Sequence, residues 1–71
     1  MEKKIYSICN GFADSGSFTS TESDAIKECE NTSRSMNTAN WLHVKKADGK
    51  WETLGRTFKA APLTWEFRKS C

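Results

Sequence analysis

Alternating apolar and polar positions predict a β-hairpin over residues 41–54. Two alternating runs flank the dipeptide Asp48-Gly49, which is a strong signal of a tight turn between antiparallel strands. Successive side chains of a strand point to opposite faces, so the register of this hairpin decides which residues face the protein core.

Two registers are open, and they place Trp51 on different sides of the hairpin. In a two-residue turn, Trp51 lies on the same side as Leu42 and Val44. In a three-residue turn with Gly49 in the left-handed conformation, Leu54 joins Leu42 and Val44 instead. We favour the second register because it gathers the aliphatic side chains on one face. The opposite face then holds Trp41, His43, Lys45, Trp51 and Thr53.

A capping signal and an apolar stripe predict a helix that begins after Thr21. The Thr21 hydroxyl can accept a hydrogen bond from the backbone N–H of Asp24, and acidic residues suit the positive end of the helix dipole. Asn37 is the expected end of the helix. Residues that recur every three or four positions form the expected packing stripe: Ala25, Ile26, Cys29, Ser33 and Met36.

The N-terminal part of the chain predicts one firm strand. Residues 4–9 are rich in β-branched and aromatic side chains and end at Asn10-Gly11, where the chain can turn. Residues 12–21 are rich in Gly, Ser, Asp and Thr. They predict a loop, or a weak second strand around residues 17–19 that folds back on the first.

The C-terminal part predicts a final strand over residues 63–68, where large apolar residues alternate with polar ones. This alternation places Leu63 with Trp65 and Phe67 on the core side. Residues 55–61 are expected to connect the hairpin to this strand, with Phe58 tucked under the sheet.

These elements predict a single α+β domain over residues 1–71. We expect an antiparallel sheet of three or four strands with one helix packed on one face. Seventy-one residues support only one hydrophobic core. The expected core residues on the helix are Ile26, Cys29 and Met36, and those on the sheet are Leu42, Val44, Leu54, Trp65 and some of Ile5, Tyr6 and Ile8.

The charge balance excludes a strongly basic nucleic-acid binder, because the net charge is only +2. The charges are nevertheless uneven along the chain. Residues 1–40 carry four basic and six acidic side chains, whereas residues 41–71 carry seven basic and three acidic ones. Whether this asymmetry separates two surfaces depends on the fold.

Composition also bears on location and on metal binding. No apolar run is long enough to cross a bilayer, and the first residues lack the apolar stretch of a secretory signal. Three cysteines, an odd number, predict reduced thiols and a cytoplasmic protein. Cys9, Cys29, Cys71 and His43 could make up a zinc set by number. They lack the short spacing of structural zinc sites, so we expect no metal and no cofactor.

The sequence predicts that the protein is not an enzyme. It contains one histidine and none of the glycine-rich, nucleophile-elbow or metalloprotease motifs. Cys29 and His43 are the one pair that could form a thiolate centre, but a cysteine on the packing stripe predicts an inert buried thiol.

Three tryptophans in so short a chain point instead to binding. Indole rings next to basic residues are typical of the energetic centres of protein–protein interfaces. On a sheet they also form stacking platforms for single-stranded nucleic acid. We favour a protein partner because the total charge is modest and the helix is acidic. Self-association through a strand edge or the tryptophan face is a third hypothesis. The candidate binding residues are Trp41, His43, Lys45, Trp51 and Arg56.

A short capped helix with the opening Asp-Ala-Ile-Lys-Glu at residues 24–28 precedes the tryptophan-rich hairpin, which closes on Lys-Ala-Asp-Gly-Lys-Trp at residues 46–51. In this order of elements, residues 4–54 resemble small orphan proteins of phages and mobile elements, among them anti-CRISPR proteins and inhibitors of host enzymes. The resemblance implies a non-catalytic inhibitor that covers a surface of a host assembly in the host cytoplasm. Some of these proteins imitate nucleic-acid phosphates with acidic faces, and the residues available for that here are Glu22, Glu28 and Glu30, with Lys27 and Arg34 among them.

Overall fold

One helix lies across one face of a five-stranded antiparallel sheet. The structure is a computed structural model and describes residues 2–10 and 14–70. Along the sheet the strands follow the order β2-β1-β3-β4-β5. In chain order the elements are β1 (Lys4–Cys9), β2 (Asp14–Ser20), α1 (Glu22–Met36), β3 (Trp41–Lys45), β4 (Trp51–Ala61) and β5 (Thr64–Lys69).

The α+β class is confirmed, but the expected three or four strands become five. The segment considered a loop or a weak strand is the seven-residue edge strand β2, whose Phe18 pairs with Tyr6 of β1. Residues 55–61 are not a connection. They continue β4 as far as Ala61, because pairing with β5 satisfies their backbone groups.

The hairpin adopts the three-residue turn that the sequence favours. Gly49 has a φ of 87°, and its N–H donates to the Lys46 carbonyl oxygen at 2.9 Å. The Lys46 N–H donates to the Lys50 carbonyl oxygen at 2.7 Å, and Val44 pairs with Glu52. This register is therefore confirmed.

A bulge in β4 changes the alternation that follows. His43 pairs with Thr53, but the next residue back along β3, Leu42, pairs with Gly55, so Leu54 is the extra residue. A Cβ atom at Gly55 would overlap the Arg68 carbonyl oxygen. Glycine is needed here because β5 approaches the backbone closely.

The helix begins and ends where predicted. Thr21 Oγ1 accepts from the Asp24 N–H at 3.3 Å. At the other end Asn37 has a φ of 54°, and its N–H donates to the Ser33 carbonyl oxygen. Met36 was expected in the core but is 49% exposed. The interior at this end of the helix is filled by a buried polar side chain, Asn40, which bonds Ser33.

The core lies between the helix and the middle of the sheet. Its buried members are Tyr6, Ile8, Ala25, Cys29 and Leu42, and the side chains packed partly around them are Phe18, Ile26, Val44, Leu54 and Phe67. Trp65 is half-buried and Ile5 is exposed. Leu63 is also exposed, contrary to prediction, because the chain turns at Pro62-Leu63 and β5 begins only at Thr64.

Candidate functional site

The side of the sheet away from the helix forms one continuous surface. Thr57 lies on the helix side, because its hydroxyl lies 2.6 Å from that of Ser33 in α1. Its neighbours Arg56 and Phe58 therefore point to the other side, and directly paired residues share that side. We call this side the open sheet face. Its residues on β3, β4 and β5 are Trp41, His43, Lys45, Trp51, Thr53, Arg56, Phe58, Glu66 and Arg68.

All five residues predicted to bind a partner lie on the open sheet face. Three strand pairs bring them together: Trp41 faces Arg56, His43 faces Thr53 and Lys45 faces Trp51. Trp51 is 46% exposed, and Trp41 is half-buried. These residues form one surface, and whether it binds a partner stays a prediction.

Arg56 reaches this face only because of the bulge in β4. In a strand without a bulge, Arg56 would point to the opposite side from Trp51 and Thr53. The extra residue Leu54 reverses the alternation, so Arg56 lies opposite Trp41. The sequence grouped the right residues, but this part of the grouping depends on a bulge that the alternation does not predict.

A row of stacked rings and guanidinium groups crosses the open sheet face. The Arg56 Cζ atom lies 5.0 Å from the centre of the Trp41 ring and 4.3 Å from that of Phe58. The Arg68 Cζ atom lies 5.3 Å from the Phe58 ring on β4. Each contact of this kind is worth about 0.5–1 kcal/mol at an exposed site. We call Trp41, Arg56, Phe58 and Arg68 the stacked row.

Sequence reasoning missed two members of the stacked row. Phe58 was expected under the sheet and Arg68 was not singled out. Both lie on the open sheet face, Phe58 because of the reversed alternation after Leu54 and Arg68 because it pairs with Arg56. The alternation of Glu66 and Arg68 with Trp65 and Phe67 was a usable signal for Arg68.

Polar groups surround Trp51 on the other half of the face. His43 Nδ1 and Thr53 Oγ1 lie 3.1 Å apart and hydrogen-bond across the hairpin. Trp51 and His43 line a depression together with Ser7, Gly16 and Ser17 of the neighbouring strands. The indole ring therefore stands beside hydrogen-bonding groups, as aromatic anchors at interfaces commonly do.

The charge asymmetry of the sequence is only partly reproduced on the two sides of the sheet, because Lys59 and Lys69 of the C-terminal half point to the helix side. The open sheet face has three basic residues, Lys45, Arg56 and Arg68, against Glu66. Glu66 lies 3.7 Å from Arg68. On the opposite side, α1 has four acidic and two basic residues.

The candidate thiolate pair does not come together. His43 is on the open sheet face, whereas Cys29 belongs to α1 and is fully buried on the other side of the sheet. Burial, and secondarily the charge of Glu30, raises the pKa of the Cys29 thiol to about 12. Its Sγ donates to the Asn40 carbonyl oxygen at 3.7 Å. Cys29 is thus a protonated, packed side chain. Of the zinc set weighed above, Cys71 lies outside the described residues.

Comparison of the chain with protein-family models, with curated proteins and with solved structures finds no match. Among the residues that the structure describes, no helix combines the length and apolar character that crossing a membrane requires. Residues 2–10 and 14–70 also contain no group of three or more His, Cys, Asp or Glu placed to hold a metal ion. The open sheet face is the feature from which we infer a function.

Proposed function

We propose that the protein binds a protein partner through the open sheet face and acts without catalysis. The observation that carries this proposal is the stacked row together with the 46% exposed indole of Trp51 on a face that α1 leaves uncovered. Tryptophan and arginine are the residues most enriched among those that dominate binding energy at protein interfaces.

The stacked row favours binding because its side chains are already partly ordered in the free protein, so less conformational entropy is lost when a partner binds. Arg56 lies near the rings of Trp41 and Phe58, and its Nε donates to the Thr57 carbonyl oxygen at 3.2 Å. An arginine already held in one conformation loses less side-chain entropy on binding than a mobile one.

The modest charge of the face favours a protein over a nucleic acid. Affinity for a phosphate backbone grows with the number of phosphates that lysines and arginines neutralise. The open sheet face offers three basic side chains, and one of them, Arg68, has Glu66 within 3.7 Å. A protein–protein interface built around aromatic side chains does not require more charge than this face carries.

Single-stranded nucleic acid is the second candidate, and the position of the acidic helix residues favours it. The acidic residues of α1 lie on the opposite side of the sheet, so a strand on the open sheet face would not meet them. This candidate predicts that a labelled oligonucleotide binds at low salt, with log affinity falling against log salt at a slope of about −2 for three phosphate contacts. The absence of binding at low salt would remove it.

The resemblance to phage-type inhibitors adds a prediction about the effect of binding on the partner and about the compartment in which the partner is found. A partner bound across the open sheet face would have part of its own surface covered, and covering a surface is how non-catalytic inhibitors of this style act. We therefore propose a host protein in the cytoplasm as the partner.

The test is to capture the partner on the purified chain, purify that partner and measure its affinity for two matched variants. Trp51→Ala removes an apolar side chain from the open sheet face. Met36→Ala removes one of similar exposure, 49% against 46%, from the end of the helix. We expect Trp51→Ala to cost about 2 kcal/mol, roughly 30-fold in affinity, and Met36→Ala to cost little.

Circular dichroism and thermal unfolding establish that both variants are folded. Equal affinity of folded Trp51→Ala and wild-type chains for the captured partner would contradict the proposal.

A further inference from the structure

The β4–β5 hairpin extends past the other strands and ends in an apolar turn. Pairing between β3 and β4 stops where Trp41 faces Arg56. Pairing between β4 and β5 continues as far as Ala61, which faces Thr64. The four consecutive residues at the end of the hairpin are apolar and exposed, and we call them the hairpin tip: Ala60, Ala61, Pro62 and Leu63.

Leu63 is the most exposed of the large apolar side chains in the described part of the chain, at 73%. The next most exposed are Met36 at 49% and Trp51 at 46%. Single exposed apolar residues are ordinary on protein surfaces. An exposed leucine within a run of exposed apolar residues at the end of a projecting hairpin is a more specific arrangement.

The backbone at Leu63 is also unfavourable for a leucine. Its φ is 63°, in the left-handed region that glycine and asparagine adopt most easily. A proline followed by a residue of positive φ is the arrangement of a type II turn, where glycine is the usual second central residue. The exposure of the side chain and the left-handed backbone are thus both unfavourable for leucine, and strained backbone positions cluster at functional sites.

We propose that Leu63 is a second anchor, which inserts into an apolar pocket of the protein partner bound by the open sheet face. This inference rests on the proposed function. The hairpin tip is continuous with the proposed interface, because Phe58 of the stacked row lies two residues before Ala60 on the same strand. The short turn fixes the backbone at Leu63, which lowers the backbone part of the entropy cost of inserting the side chain.

The small size of the hairpin tip favours a protein pocket over a lipid bilayer. A whole myristoyl chain by itself gives only marginal membrane binding. Leu63 and its small neighbours offer much less apolar area than such a chain. A preformed pocket can enclose one leucine side chain completely, and that burial is enough to change affinity measurably.

The test uses Leu63→Asn in the full chain, with the captured and purified partner as the probe. Asparagine suits the left-handed conformation and removes the apolar anchor, so we expect thermal stability equal to or above that of the wild type. We expect affinity for the partner to fall about 10-fold to 100-fold, as for the loss of one buried leucine. Leu63→Met keeps an apolar side chain and should keep most of the affinity. Met36→Asn, at the end of the helix, should leave it unchanged.

The outcomes separate the two proposals. Wild-type affinity in Leu63→Asn together with weakened binding in Trp51→Ala overturns the role of Leu63 and leaves the open sheet face intact. Wild-type affinity in both variants overturns both proposals, and so does failure of the wild-type chain to retain any protein.

Two further results would contradict the proposal that Leu63 inserts into a pocket of a protein partner. The first is co-flotation of the wild-type chain, but not Leu63→Asn, with vesicles of phosphatidylcholine and phosphatidylglycerol, which would assign the hairpin tip to lipid. The second is concentration-dependent sedimentation that Leu63→Asn abolishes, which would assign it to a second copy of the chain.

Discussion

Cys29 shows how burial fixes the chemistry of a single residue. It has no exposed surface, and burial together with the charge of Glu30 raises its thiol pKa from 9.0 to about 12. The folded state therefore keeps a proton that the unfolded state releases above pH 9. Between these two pKa values only the folded state binds the proton, so a rise in pH favours the unfolded state. We therefore expect the free energy of unfolding to fall as pH rises from about 9 towards about 12.

Urea unfolding at a series of pH values above and below 9 measures this slope. Cys29→Ala should lose the part of the slope that the thiol causes. Burial also raises the pKa of Tyr6, so this residue contributes separately to the slope. Tyr6→Phe should remove that separate contribution and leave the part that the thiol causes. An identical pH dependence in wild type and Cys29→Ala would contradict the assignment.

Residues with local signatures could be interpreted from the sequence, whereas those with distant partners could not. Thr21, Asn37 and Gly49 each act on neighbouring backbone groups, and all three behave as predicted. Asn40 and Thr57 gave no local signal. Their burial could not be predicted because the hydrogen-bond partners that Ser33, Asn40 and Thr57 provide for one another lie 7 to 24 positions apart in the chain.

At the scale of elements, a buried polar network joins the helix to the sheet. Thr57 Oγ1 accepts from the Asn40 N–H at 2.9 Å and lies 2.6 Å from Ser33 Oγ. Asn40 Nδ2 donates to Ser33 Oγ at 2.9 Å. The network thus fixes the end of α1 against the start of β3 and the middle of β4.

Thr57→Val tests how much this network contributes. Valine keeps the shape but removes the hydroxyl, which leaves the buried Asn40 N–H without that acceptor. We expect the free energy of unfolding to fall by about 1–3 kcal/mol, measured by urea unfolding. Thr19→Val, on the exposed side of β2, is the control and should change it by less than about 0.5 kcal/mol. Equal effects of the two substitutions would mean that the network adds little.

Side chains of the helix partly cover the exposed edge of strand β5. Glu30 Oε2 accepts from the Phe67 N–H at 3.0 Å, and Lys69 Nζ lies 2.8 Å from Glu22 Oε2. An exposed strand edge is a site of unwanted strand pairing, and covering it with a side chain prevents such pairing. We therefore expect the Glu30 carboxylate to limit strand pairing at this edge as well as to stabilise the fold.

Glu30→Ala removes this cover from the Phe67 N–H. We expect lower stability, by about 1–3 kcal/mol, together with increased self-association in sedimentation velocity. Glu28→Ala alters an exposed carboxylate of the same helix and should leave both properties nearly unchanged. If the two variants sediment alike at every concentration, the edge is not protected by Glu30.

At the scale of the whole molecule, one bulge determines the composition of the open sheet face. Hydrophobic alternation and turn chemistry correctly placed Trp41 and Trp51 on the side away from the core. They could not place Phe58, because the extra residue in β4 reverses which side chains point outward. Leu63 was misplaced for a related reason: its alternation with Trp65 continues into a turn, where a strand pattern no longer sets direction.

Hydroxyl-radical footprinting of the complex with the captured partner tests the central claim most directly, because it reads the reactivity of individual side chains. We predict that partner binding lowers the oxidation of Trp41, Trp51 and Phe58 on the open sheet face. Met36, exposed at the end of the helix, serves as the internal reference and should oxidise at the same rate with and without the partner. Protection of Met36 with unchanged oxidation of Trp51 would place the partner elsewhere and contradict the account.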